Sequence, residues 1–175
     1  SSWVLAKHRM PWLLILMISA IFTGAIIIRY EDALQSVTIL SSFIPMLMDT
    51  GGNSGSQSST LVIRGLALGE IKPKDILKVL RKELCISAIV GIVLSVVNFL
   101  RIYYIGKADI LVALTVAITL FFTVVLSKVV GGILPIIAKK LKLDPAIMAS
   151  PLITTIVDAV ALMIYFTTAT LLLGI

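Results

Sequence analysis

Asp158 stands near the middle of the apolar run SPLITTIVDAVALMIYFTTATLLL, residues 150–173. A carboxylate at the centre of a bilayer costs on the order of 2.5–3.5 kcal/mol, so it has to face protein or water rather than lipid. At helical spacing its neighbours Thr154, Ala161 and Tyr165 form a small-to-polar stripe beside it. A second polar feature interrupts another apolar region. Residues 49–60 read DTGGNSGSQSST, with SVTILSSFIPMLM before them and LVIRGLALGE after them. The stretch holds Asp49, Asn53 and Gln57 together with Gly51, Gly52 and Gly55.

The polar groups in these two places are all oxygen donors: carboxylate, amide, hydroxyl and backbone carbonyl. Hard divalent cations take such ligands. Mg²⁺ in particular gives up its waters reluctantly, so a path for it has to be wide and has to bind the waters. Glycines expose backbone for that purpose, and Asp158 supplies charge. Composition alone does not separate Mg²⁺ from Mn²⁺ or Ca²⁺. The competing reading of Gly51 and Gly55 is close helix packing, since small residues four apart let helices approach. That reading leaves Asp49, Asn53 and Gln57 without a purpose. For Asp158 the competing reading is a structural carboxylate, protonated or bonded to a neighbouring helix.

Other chemistries fit less well. Residues 52–55, Gly-Asn-Ser-Gly, match the serine motif of rhomboid-type intramembrane proteases. Such a serine needs a base within reach. His8, the only histidine, precedes the first apolar run, which leaves Lys128 as the remaining base. An aspartyl protease would pair Asp49 with Asp158, but the Gly-x-Gly-Asp motif of that class is missing. With one cysteine, Cys85, there is no intrachain disulfide and no soft-metal site within one chain. The chain is therefore expected not to be an enzyme. A passive anchor or dimerisation domain is the third alternative, disfavoured because intramembrane polar groups are costly.

These residues must be positioned by membrane-spanning helices. Of the 175 residues 59% are hydrophobic and only 14% charged, against roughly 25% charged in soluble domains. Spans are expected at about 11–28, 34–63, 84–103, 110–138 and 146–173, each long enough for a bilayer core of roughly 30 Å. The net charge of +6 does not point to nucleic acid, because the basic residues flank the apolar runs. With the N-terminus inside, Lys7, Arg9, Arg64, Lys72, Lys74, Lys78, Arg81, Lys82, Lys139, Lys140 and Lys142 are cytoplasmic. Only Arg29, Arg101 and Lys107 lie outside. That asymmetry follows the positive-inside rule and places the C-terminus outside. The second span is expected to kink or break between Pro45 and Gly55, since proline and glycine both weaken a helix there. Residues 71–85, IKPKDILKVLRKELC, read as a short amphipathic surface helix. Lys128, inside the fourth span, is expected to point away from any cation path.

The run PMLMDTGGNSGSQSSTLVIRGLALGEI, residues 45–71, resembles the signature of the MgtE family of magnesium channels and transporters. LDPAIMASPLITTIVDAVALMIYF, residues 143–166, resembles that family's last span, and GGILP at 131–135 and RMPW at 9–12 also fit. The resemblance implies an all-α membrane protein with five transmembrane helices per subunit and a pore at a homodimer interface. Residues 11–175 would form that pore domain, and residues 1–10 the remnant of a cytoplasmic connecting helix. It implies that Asp158 holds a largely hydrated Mg²⁺ together with backbone oxygens near Gly52, Asn53, Gly55 and Thr154, with Asp49 and Gly51 as secondary candidates. It implies cytoplasmic N-terminal and CBS domains in full-length members, which bind Mg²⁺ and close the pore. Thr154 stands where some members have a small residue, and Lys128 where a neutral one, often Asn, is usual. The function expected is passage of Mg²⁺ into the cytoplasm, down its electrochemical gradient, across the plasma membrane of a prokaryote. Mn²⁺ or Co²⁺ is the alternative cargo.

Overall fold

The computed structural model describes residues 1–148 and 150–175, of which the side chains of Met148 and Ser150 are left aside. Six α-helices carry the described chain: α1 (Ser2–Arg29), α2 (Glu31–Ser36), α3 (Leu40–Ala67), α4 (Ile76–Leu100), α5 (Ile110–Lys140) and α6 (Ser150–Leu173). No strand occurs among the described residues. Short helical turns at Pro73–Asp75 and Pro145–Met148 lead into α4 and towards α6, and a π-turn at Arg101–Ile105 ends α4. Asp109 caps α5, its Oδ1 accepting from the Leu111 N–H at 2.8 Å, which satisfies one of the free donors at a helix start.

Four of these segments are long and apolar enough to cross a membrane: α1, α4 with its flanking turns, α5 and α6. α3 has the length, 28 residues or about 42 Å, but not the apolarity, because residues 49–60 dilute it. By length and composition, then, four spans stand where five are expected.

α3 also differs from expectation in shape. It is one uninterrupted helix through Pro45, Gly51, Gly52 and Gly55. The interruption lies earlier, at residues 37–39, between α2 and α3. Pro45 is tolerated because it sits in the second turn, just after a start made of three-residue backbone bonds such as Ser41 N–H to Thr38 O. The glycines are tolerated because other helices press on them. α3 stops at Gly69, whose φ of +74° is the left-handed conformation that glycine adopts without strain. The expected surface helix at 71–85 is not separate either. Pro73 does occupy its first turn, but the chain from Ile76 runs directly into α4. The apolar run beginning at Leu84 simply continues that helix, with no breaker between.

α5 sits at the centre, packed against α3, α4 and α6, while α6 also packs on α3. At one end the core is apolar, built from Leu40, Ile44 and Leu47 of α3, Val116, Leu120 and Val124 of α5, and Tyr165 and Phe166 of α6. In the middle it is made of small and polar residues. α1 is unbroken through Pro11, buries no residue, and touches the rest mainly along α6.

Candidate functional site

The two faces of α3 divide the stretch 49–60 between two tasks. Asp49, Asn53, Gln57 and Thr60 are exposed and recur at helical spacing, so they line one uncovered face. Gly51, Gly52, Ser54, Gly55, Ser58 and Ser59 are buried on the other. A Cβ added at Gly51 would lie 2.7 Å from Thr123 Cγ2 and from Val157 Cγ1. One added at Gly55 would lie 2.6 Å from Ile153 Cγ2 and 3.0 Å from the Ser127 carbonyl oxygen. One added at Gly131 would meet the Gly55 carbonyl oxygen itself. α3 and α5 therefore touch backbone to backbone, which only glycine permits. Packing and polarity, set against each other as readings of one stretch, occupy opposite sides of one helix.

α6 brings Asp158 to this helix. Its Val157 and Ile153 press on the buried glycines, and Thr154 faces Gly52, where an added Cβ would stand 3.3 Å from Thr154 Cγ2. Asp158 is half-buried, and its Oδ1 is enclosed without a hydrogen-bond partner. The carboxylate of Asp49 on α3 lies within electrostatic reach of it. So the fold brings Asp49 and Asp158 into one neighbourhood, and Gly52 and Thr154 into contact. Asn53 stays on the open face. Gly55 is turned from that face: its carbonyl is directed at Gly131. Gly51 likewise lies under α5 and α6.

Tyr165, read as part of the stripe beside Asp158, belongs to the core. It is fully buried, and its hydroxyl donates to the Leu40 carbonyl at 2.7 Å. That bond occupies a carbonyl in the first turn of α3. The serine of Gly-Asn-Ser-Gly, Ser54, is buried, and Lys128 is bonded to Gln57 rather than to it.

Two groups emerge whose partners sequence reasoning did not name. Lys128 is 3% exposed, and its Nζ donates to Gln57 Oε1 at 2.7 Å. Glu83, which ends a charged run and reads as interfacial, is buried and accepts from Ser58 Oγ at 2.7 Å. A signal for Glu83 does exist. Val79, Glu83, Ser87, Gly91 and Ser95 recur every four residues and share the buried face of α4.

Chemically, the neighbourhood offers two carboxylates, an amide and helix-backbone oxygens. Among the described residues no group of three or more His, Cys, Asp or Glu gathers as a metal site.

Comparison with known proteins extends the resemblance. A family model described as a divalent cation transporter, MgtE, matches residues 44–168, which include Asp49, the glycines, Thr154 and Asp158. A magnesium transporter MgtE of Bacillus subtilis is 42% identical over 170 residues, covering 97% of this chain and 37% of that protein. One from Thermus thermophilus is 36% identical over 165 residues, covering 94% and 36%. The chain thus spans little more than a third of the length of these relatives. The family is one of transporters, not of enzymes. With most of its length, and all of the site just described, inside the matched region, this chain belongs to the MgtE family of divalent cation transporters.

Proposed function

We propose that this chain is the membrane part of a Mg²⁺ pathway, in which Asp158 attracts a largely hydrated ion. The observation that carries the reading is the Asp158 carboxylate itself. It sits in a helix apolar enough to cross a membrane, with an enclosed and unpartnered oxygen, facing a second acid across the α3–α6 contact. A merely structural acid would have its oxygens bonded.

In this reading α3 is the fifth span. Its open face, bearing Asp49, Asn53, Gln57 and Thr60, faces water and not lipid, as polar groups at membrane depth must. A second copy of the chain related by a two-fold axis places two such faces and two Asp158 side chains around one path. Asn53 and the backbone near Gly52 and Thr154 bind the ion's waters. Gly51 and Gly55 serve by letting α3 approach α5 and α6. The N-terminus is cytoplasmic and the C-terminus outside, in the plasma membrane of a prokaryote. The membrane potential then drives a divalent ion inward by about 4.6 kcal/mol at about 100 mV. In the whole protein, cytoplasmic regulatory domains preceding Ser1 close the path when Mg²⁺ is abundant.

The test is Mg²⁺ uptake into liposomes holding the reconstituted protein and a trapped Mg²⁺-sensitive dye, under an inside-negative potential. Potential-driven uptake that falls at least about tenfold in Asp158→Ala supports the reading. Uptake that Asp158→Ala leaves unchanged removes Asp158 from the path. Uptake of Mn²⁺ or Co²⁺ in preference to Mg²⁺ would keep the site and change the cargo.

A further inference from the structure

Lys128 sets a basic side chain in the interior, and the way it is held gives it a direction. Its Nζ donates to Gln57 Oε1 at 2.7 Å. An ammonium can only donate, so Gln57 has to present its oxygen inward to the lysine. The two amide hydrogens of Gln57 are then left for the outer side. That side is the open face of α3, where Gln57 with Asn53, Ser56, Thr60 and Leu61 lines a surface hollow of about 440 Å³. On the inner side the Glu83 carboxylate acts on the Lys128 ammonium and is itself held by Ser58, on the buried face of α3. The arrangement is a dipole across the helix. Its positive end, Lys128 with the Gln57 amide, meets the open face, and its negative end lies behind it. Gln57 is eight residues past Asp49, about 12 Å further along α3 towards Arg64.

We propose that Lys128 is a fixed positive charge beside the cation path, set behind Gln57. It lowers ion occupancy at that level and confines the bound ion to the level of Asp49 and Asp158. This rests on the transport reading above and names a residue that tunes it. Conduction needs binding strong enough to admit the ion and weak enough to release it. The acids provide the first condition and Lys128 the second, on the exit side of an inward path. Lys128 is a positioning and tuning residue that touches no ion.

The experiment compares Mg²⁺ concentration dependence of uptake for full-length protein in liposomes, with Lys128→Met, Lys128→Arg and Glu83→Gln. A divalent ion about 10 Å from a unit charge in a mostly aqueous setting feels a change worth roughly three- to tenfold in occupancy. Lys128→Met is therefore expected to lower the half-saturating Mg²⁺ concentration about three- to tenfold. Lys128→Arg should stay near the unsubstituted value. Glu83→Gln, which removes the negative end, should shift it the opposite way. If Lys128→Met does not fold, the Lys128→Met/Glu83→Gln double variant removes both charges and should still lower the value, by less. Equal values for the Met and Arg variants overturn the proposal. So does a shift of the same sign for Lys128→Met and Glu83→Gln, or a change confined to maximal rate or thermal midpoint, since a structural lysine predicts those. Absence of potential-driven uptake by the unsubstituted protein overturns the transport reading, and this proposal with it.

Discussion

At the scale of single residues, burial and bonding separate groups that composition treats alike. Asp158 and Tyr165 are two turns apart on one helix, yet one has an unpartnered oxygen and the other a satisfied hydroxyl. Removing that hydroxyl deletes a single buried bond. Tyr165→Phe is expected to lower stability by about 1 kcal/mol, seen as a lower thermal midpoint in detergent, while Mg²⁺ uptake persists. A loss of uptake at unchanged midpoint would instead put Tyr165 in the path. Asp158→Asn, nearly the same shape without the charge, should abolish uptake with the midpoint held or raised, because the enclosed oxygen no longer belongs to a carboxylate.

At the scale of the elements, the glycines of α3 and α5 set how closely the helices approach. Gly131 is opposed by backbone, which cannot move aside as a side chain can. Gly131→Ala should therefore destabilise by roughly 1–3 kcal/mol or more, as overpacking does. Gly24 of α1 is the control, since nothing lies within 4 Å of a Cβ added there. Gly24→Ala should be neutral or stabilising by about 0.5–1 kcal/mol. Thermal unfolding of the two variants side by side measures this, and equal midpoints would refute the claim of backbone contact. The same element explains why the expected break in span two did not occur. Each buried glycine loses about 1 kcal/mol of helix propensity. The contacts of Gly51 with Thr123 and Val157, and of Gly55 with Ile153 and Ser127, offset that loss.

At the scale of the whole molecule, the proposed place of α3 as the fifth span means that its open polar face requires a cover other than lipid. If a second copy provides it, a single cysteine at Asn53, in a Cys85→Ser background, should give a covalent dimer with a short bis-maleimide. Monomer only, from protein that migrates as a dimer, would place the interface elsewhere. The orientation is open to a separate check. An impermeant maleimide added to intact cells should label Lys107→Cys and spare Lys142→Cys, and the reverse pattern would invert the topology.

The sequence by itself determined the membrane class, the helical content and the two polar neighbourhoods, because hydropathy and helix length are properties of consecutive residues. The spans at 110–138 and 146–173 match α5 and α6 within a few residues for that reason. The prominence of Asp158 was legible too, since a lone acid in an apolar run needs no partner to be noticed. Which side of α3 each residue of 49–60 faces was not legible. Local propensity argued for a break, and only contact with α5 and α6 shows why the helix continues. The partner of Lys128 was not legible either: its reach to Gln57 joins residues 71 positions apart, on different helices. Glu83 was hidden in a run of charges that reads as solvated, until its phase on α4 turned it onto Ser58. Pairings of this kind depend on how helices pack, and packing is decided by all of them together.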